Sequence, residues 1–480
     1  MNKQNDSTNW TNWEESIALT PAVVASPTSV DEVLEILADA KNFPSPVRAA
    51  GSRHSTTHCG VADQGTLLIM RNMDRITEID HDNCTVTVEA GALYIDVAKE
   101  LEKTGLQFYV NVEIGNLTMG SAACTGTKDA SMPGEFGQVC SYCCAINLAL
   151  PSGEIICVDD SDQELMQAMR SSYGLLGVVL GVTFRVKPIR AMKVYHKTYT
   201  LDEFEKALPA LRERGESIMY YLFPFLDSLT VEFRQYIDSK PAKIRWVWRV
   251  RNAFWKTYAP AFSWFTTRFI RSSHLRYKIV DGFYRIIQSV MNNVLRSDCT
   301  YASDQQIRYP QKKGISKYTF SIWAFPEERI MPIMRAYYEF CREYYREHGF
   351  RCDMLNVGYR IAKDANPLFS YSYAGTVMTL DPVTTGAPGW DDFLRAYNEF
   401  CSQHDGIPLF NQSKWLTRSQ VQKAFGGRIS KFWRYKQRFD PNNRLMNDYF
   451  NNLLESDFKL EGKDKSDEVS LFEASQSVAV

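Results

Sequence analysis

The 480-residue chain contains no run that approaches the roughly 18 apolar residues a membrane-crossing helix needs. A spanning helix is therefore not expected. Residues 1–13 are rich in Asn, Thr and Trp and have neither the basic start nor the apolar stretch of a secretory signal. The protein is expected inside the cell, cytoplasmic or peripherally bound to a membrane, and the N-x-S/T triplets at Asn5, Asn9, Asn116 and Asn411 are then chance matches. An excess of charge of one sign is also missing: 55 Lys and Arg stand against 56 Asp and Glu, so nothing in the overall balance points to nucleic acid. The 11 cysteines are an odd count, and the dense group Cys140, Cys143 and Cys144 sits in an alternating apolar run with no second Cys or His pair at zinc-like spacing. Core thiols are expected there, and no metal. No G-x-G-x-x-G follows a first strand and no Walker glycine loop is present, which weakens a Rossmann or P-loop reading.

What is present fits a soluble globular enzyme of two conventional domains, with a 45% hydrophobic and 13% aromatic share. From Pro21 short elements alternate: β-like at 22–25, an amphipathic helix over 30–40 opened by Ser29, β-like again at 47–50, and further strands at 66–69, 76–79 and 85–88. Residues 140–150 alternate as a strand and turn at Pro151-Ser152-Gly153 into a second strand at 155–158. A composition shift near 191 marks a second α+β region. Within it, 243–296 is basic and aromatic with Asp281 as its one acid, and Pro260 is expected to divide it into two helices lying at a membrane interface. The expected domains are 17–190 and 191–455, followed by a charged, Ser-rich tail at 456–480 expected to be disordered.

The chemistry concentrates in a tight turn straight after a strand, Arg48-Ala49-Ala50-Gly51-Ser52-Arg53-His54-Ser55. Glycine permits close backbone approach, and successive N–H groups in such a turn form a concave nest suited to a pyrophosphate.

Gly51-Ser52-Arg53-His54-Ser55 resembles the G-x-G-H-S segment of the vanillyl-alcohol oxidase, or p-cresol methylhydroxylase, type of FAD-binding fold. Further segments resemble that family in order: Asn72 to Ile76, Thr85 to Gly91, Asn116 to Ser121, Thr125-Gly126-Thr127, Gly174 to Val179, and Asp440-Pro441 to Asn447. The aldonolactone oxidases are the nearest branch. The resemblance implies a two-lobed α+β FAD-binding domain followed by an α+β substrate domain. It also implies FAD held by Ala50, Gly51, Ser52, Arg53, His54, Ser55, Thr118, Gly120, Ser121, Cys124, Gly126, Thr127, Gly137, Gly177 and Val178, with a covalent bond expected at His54.

Departures from the pattern bear on the substrate. The family's G-T-H reads Gly126-Thr127-Lys128, the E-x-R of the lactone branch reads Gly358-Tyr359-Arg360, and its H-W-x-K is replaced by Asn411-Gln412-Ser413-Lys414. Arg360 and Lys414 are the expected cations near the reacting carbon, and Tyr359, Tyr371 or Tyr373 is the expected proton acceptor. The leading expectation is oxidation of a sugar lactone, polyol or other secondary alcohol, with oxygen or another carrier as electron acceptor. The alternatives are a reductase or tailoring oxidase acting on a less polar, sterol-like molecule, and a flavin-binding protein without turnover.

Overall fold

The computed structural model describes residues 3–4, 10–242, 246–311 and 314–454. The expected tail at 456–480, and Lys243 and Arg245 of the basic stretch, lie outside the described residues.

The first sheet orders its strands Lys3–Gln4, Val23–Ala25, Thr66–Ile69 and Val47–Ala50, the last two parallel. Its crossover helix, Val30–Ala38, starts where Ser29 accepts from the Glu32 N–H, and buries Val33, Ile36 and Leu37 against the strands. The second sheet runs Ile155–Asp159, Cys143–Ala149, Val178–Pro188, Thr85–Glu89 and Ile76–Asp80, antiparallel throughout. Two boundaries differ from the sequence reading. Residues 139–142 form a short 3₁₀ turn ahead of the strand, and the segment Gly174 to Val179, read above only as a family motif, already enters a strand at Val178. Gly181 conceals that early start: a Cβ there would lie 3.3 Å from the Val88 carbonyl, so a glycine lets the neighbouring strand close up.

The third sheet has eight strands, in the order Ser297–Thr300, Ala191–Thr200, Ser228–Ile237, Ser217–Phe223, Asn356–Ile361, Val377–Leu380, Trp323–Pro326 and Ile407–Pro408. Ser217–Phe223 lies in its middle and is buried on both faces. Ile218, Tyr220 and Leu222 pack under the helices Leu201–Glu213, Ile330–His348 and Trp390–Gln403. Met219, Tyr221 and Phe223 alternate to the other face, where Trp255, Tyr284 and Ile287 cover them. These three come from the basic aromatic stretch, which folds as Trp246–Ala253, a π-turn at Phe254–Tyr258, Ala259–Phe269 and Ser273–Asn293. The break falls at 270–272 and not at Pro260. Pro260 follows directly on the π-turn, where the Ala259 N–H bonds to the Phe254 carbonyl, so the backbone stays helical through it and the proline does not divide the segment.

Candidate active site

The strand Val47–Ala50 ends at the edge of a cleft holding about 1390 Å³ of empty space, and the turn that follows forms its rim. Arg53 takes a left-handed conformation, φ 59°, which reverses the chain in the turn. Its carbonyl accepts from the Trp13 N–H at 2.7 Å, Asn12 Nδ2 donates to the Ser55 carbonyl at 3.1 Å, and the Thr56 N–H donates to the Asn411 carbonyl at 3.0 Å. Two carbonyls of the turn are thus tied to the N-terminal segment, and the Thr56 N–H just after it is tied to the C-terminal loop. Its N–H groups are not: among the described residues, those of Ser52, Arg53, His54 and Ser55 donate to no protein acceptor. Four free donors on one tight turn form the nest that a pyrophosphate requires.

Other features fit a dinucleotide. A Cβ on Gly51 would sit 2.1 Å from Thr118 Oγ1, and one on Gly120 2.9 Å from the Ala90 Cβ, so bare glycine backbone lets these segments approach each other closely beside the cleft. Asn411 Oδ1 is buried at the cleft with no partner among the described residues, an acceptor left for a bound donor. Ile114, Leu117 and Val179 give the cleft an apolar lining suited to a flat ring system.

Ala50, Gly51, Ser52, Arg53, His54, Ser55, Thr118, Gly120, Ser121, Cys124, Thr127 and Gly177 all line this cleft. Gly126 faces the adjoining cavity instead, while Val178 packs in the core beneath the first sheet. Gly137 also lies outside the cleft: a Cβ there would meet the Asp129 carbonyl at 2.6 Å, so its part is to let residues 129–131 pass close by. The His54 ring lies 5.2 Å from that of Trp13. Burial, and then the charges of Lys317 and Arg53, pull His54 down to about 3, so its imidazole is neutral at physiological pH. Burial pushes the Cys124 thiol up to about 11 and keeps it protonated. Cys140, Cys143 and Cys144 are free thiols, the first two buried, and no grouping of three potential metal ligands occurs among the described residues.

Several cleft residues were not assigned to the flavin from the sequence: Trp10, Tyr173, Asn411 and Gln412. The last two mark where H-W-x-K is lost, and that departure was the available signal.

A second cavity, with about 970 Å³ of empty space, meets the first at Ile114, Thr127 and Gln412. Tyr359 lines it, with Lys128 Nζ 3.4 Å from its ring centroid. Lys128 in turn binds Asp381 Oδ2 at 3.1 Å, their side chains only 4% and 1% exposed. The two expected cations are not brought here. Along Asn356–Ile361, Val357 and Tyr359 face the cavity, so Arg360 points to the other side of the sheet, where Glu327 holds it through bonds of 2.6 and 3.1 Å. Lys414 Nζ binds Asp391 at 3.0 Å in a separate cleft with Glu14 and Trp390. Tyr371 is sealed in a small core, and Tyr373 lies under Arg428.

Residues 21–159 match the sequence family described as FAD binding domain. The chain is an FAD-dependent oxidoreductase of the PCMH-type FAD-binding fold. It is 24% identical over 470 residues to an L-gulonolactone oxidase of Mus musculus, covering 92% of this chain and 97% of the relative. An L-gulono-1,4-lactone dehydrogenase of Mycobacterium tuberculosis is 20% identical over 448 residues, covering 93% and 99%. Among solved structures, a cholesterol oxidase from B. sterolicum superposes with a TM-score of 0.72 at 15% identity, over 93% of this chain and 96% of that one, and shares the fold.

Proposed function

We propose that this flavoenzyme oxidises the carbinol C–H of a hydroxyl-bearing small molecule, a reading carried by the junction of the flavin cleft and the second cavity at Ile114, Thr127 and Gln412. When bound, FAD supplies the two-electron acceptor for such a bond. Residues 17–190 hold it, the free N–H groups from Ser52 to Ser55 receiving the pyrophosphate and His54 forming the covalent attachment. Residues 191–455 supply the walls that orient the substrate and exclude water. That the relatives are a lactone oxidase and a lactone dehydrogenase supports attack beside a hydroxyl, with oxygen or another carrier as acceptor. The helices from Trp246 to Asn293 rest on an anionic membrane surface, a contact supported by their basic charge and exposed apolar side chains.

The test is anaerobic bleaching of the flavin's visible band in the purified holoprotein. Reduction by secondary alcohols, polyols or lactones without added nicotinamide is the expected result. Reduction by NADPH alone would instead make the protein a reductase, and bleaching by neither would leave a flavin carrier without turnover.

A further inference from the structure

We propose that the second cavity takes an apolar secondary alcohol, and that Asp381, held by Lys128, receives the proton of its hydroxyl. This rests on the reading of the protein as an oxidant of alcohols and names the substrate class and the proton acceptor of that site.

The cavity's chemistry sets the substrate class. Met219, Phe320, Ile322, Met354, Leu355 and Val383 make up much of its wall and offer no hydrogen bonds. A polyol or sugar lactone gives up water at nearly every carbon on entering, and each hydroxyl left without a partner is costly. One carboxylate in the wall is already engaged: Glu113 accepts from Tyr309 at 2.8 Å and from Arg251 at 2.9 Å. The other, Asp381, gives Oδ2 to Lys128, while its Oδ1 makes no well-formed hydrogen bond to the described residues. The wall therefore suits a compact apolar body with one hydroxyl directed at Asp381. Lys128 follows Thr127, which borders both the flavin cleft and the cavity, so the pair stands beside their junction. It occupies the position where the family pattern has histidine.

The reaction balances without a further component. The carbinol carbon loses its hydrogen with both bonding electrons to the flavin, the O–H proton passes to the Asp381 carboxylate, and the carbon–oxygen bond becomes a carbonyl. Lys128 stays protonated and opposes the negative charge that develops on the substrate oxygen. Burial pushes Asp381 up to about 6, against the opposing pull of Lys128. The other titratable groups near it are the phenols of Tyr220, Tyr359, Tyr371 and Tyr397 and the Cys401 thiol, all pushed well above their ordinary values by burial. Asp129, which acts on Lys128, is itself held by Arg234. Burial raises Asp129 as well, against the pull of Arg234, so the acid limb near pH 6 belongs to Asp381 only where Asp381→Asn abolishes it.

The experiment uses the full-length holoprotein and a matched pair of probes. The secondary alcohol 2-adamantanol can be oxidised, whereas its tertiary isomer 1-adamantanol has no hydrogen on the carbinol carbon and reports binding alone, through the flavin difference spectrum. Expected are bleaching by 2-adamantanol at least about tenfold faster than by L-gulonolactone or xylitol, and a rate that falls about tenfold per pH unit below pH 6. Asp381→Asn should slow bleaching by about 10²- to 10³-fold and abolish the acid limb, with 1-adamantanol binding kept within a few-fold. Faster bleaching by the lactone or polyol overturns the substrate class but leaves alcohol oxidation standing. Bleaching by no alcohol or lactone sinks both. A wild-type profile flat through pH 6 removes Asp381 from the reaction even if the Asn variant fails to fold.

Discussion

At Gly51 the lack of a side chain lets the turn pack directly against Thr118, because any Cβ would start 2.1 Å from Thr118 Oγ1. Gly51→Ala must push either the turn or Thr118 aside, and both carry the rim on which the free N–H groups are displayed. We expect the purified variant to fold but to hold a small fraction of the wild-type flavin, read from the ratio of visible to ultraviolet absorbance; a wild-type ratio would show that the rim tolerates the shift. His54, on the same rim, is a neutral imidazole across the physiological range and so keeps one ring nitrogen unprotonated. Acid precipitation should therefore leave yellow colour in the polypeptide pellet, and His54→Ala should release its flavin to the supernatant. Complete release from the wild type would end the covalent assignment while leaving FAD binding intact.

Helix Ser273–Asn293 carries two apolar stripes where a surface helix normally has one. Tyr277, Val280, Tyr284, Ile287 and Met291 form the stripe packed onto the sheet, and Leu275, Ile279, Ile286 and Val290 form another that faces outward. Ten of the thirteen large hydrophobic side chains exposed among the described residues fall between Trp246 and Val294, including Trp246 at 68% and Tyr258 at 65%. Arg249, Arg271, Lys278 and Arg285 are exposed beside them, and the segment's one acid, Asp281, is held by Arg351. No helix among the described residues is long and apolar enough to cross a membrane, so the contact would be in the interface plane. The protein should co-sediment with phosphatidylserine vesicles at low salt and come off as salt rises, and Phe265→Glu with Phe269→Glu should weaken that binding without changing flavin content. Indifference to anionic vesicles at low salt would make this an ordinary surface. Much of this element level was legible in the sequence, because alternation and capping are local: 47–50 and 66–69 fall where the pattern puts them. The location of the cations was not. Whether Arg360 points at a cavity or at Glu327 depends on which face of a strand is covered, and that is decided by helices far away in sequence. Lys128 was visible as a departure from a motif, but its partner Asp381 lies 253 residues further on and carries no local mark.

The flavin cleft is closed by parts of the chain that are nearly four hundred residues apart, and Arg48 joins them. Its guanidinium donates to the carbonyls of Cys59 at 2.7 Å, Tyr173 at 2.6 Å, Gly174 at 3.3 Å and Leu445 at 2.9 Å. Burial pulls Arg48 down to about 10, which leaves it charged at neutral pH and makes each of these bonds a charge-assisted one. The C-terminal loop reinforces the closure: Arg444 donates to the carbonyls of Ile36 and Leu37, and Asn447 Nδ2 to those of His58 and Val61. The substrate-side sheet is thereby held in register with the flavin side, since the chain that leaves it at Pro408 passes the cleft at Asn411 and Gln412 before docking here. Arg48→Met keeps the length and apolar stem of the side chain but leaves up to four inward-facing carbonyls without their donor, each worth about 1–3 kcal/mol where water cannot enter. We expect a fall of several degrees in Tm by calorimetry together with lowered flavin content, because Cys59, Tyr173 and Gly174 are themselves walls of the cleft. Arg48→Lys retains the charge but cannot reach four acceptors with one ammonium, and should fall between the two. An Arg48→Met protein with unchanged Tm and full flavin would mean that the C-terminal loop alone holds the halves together.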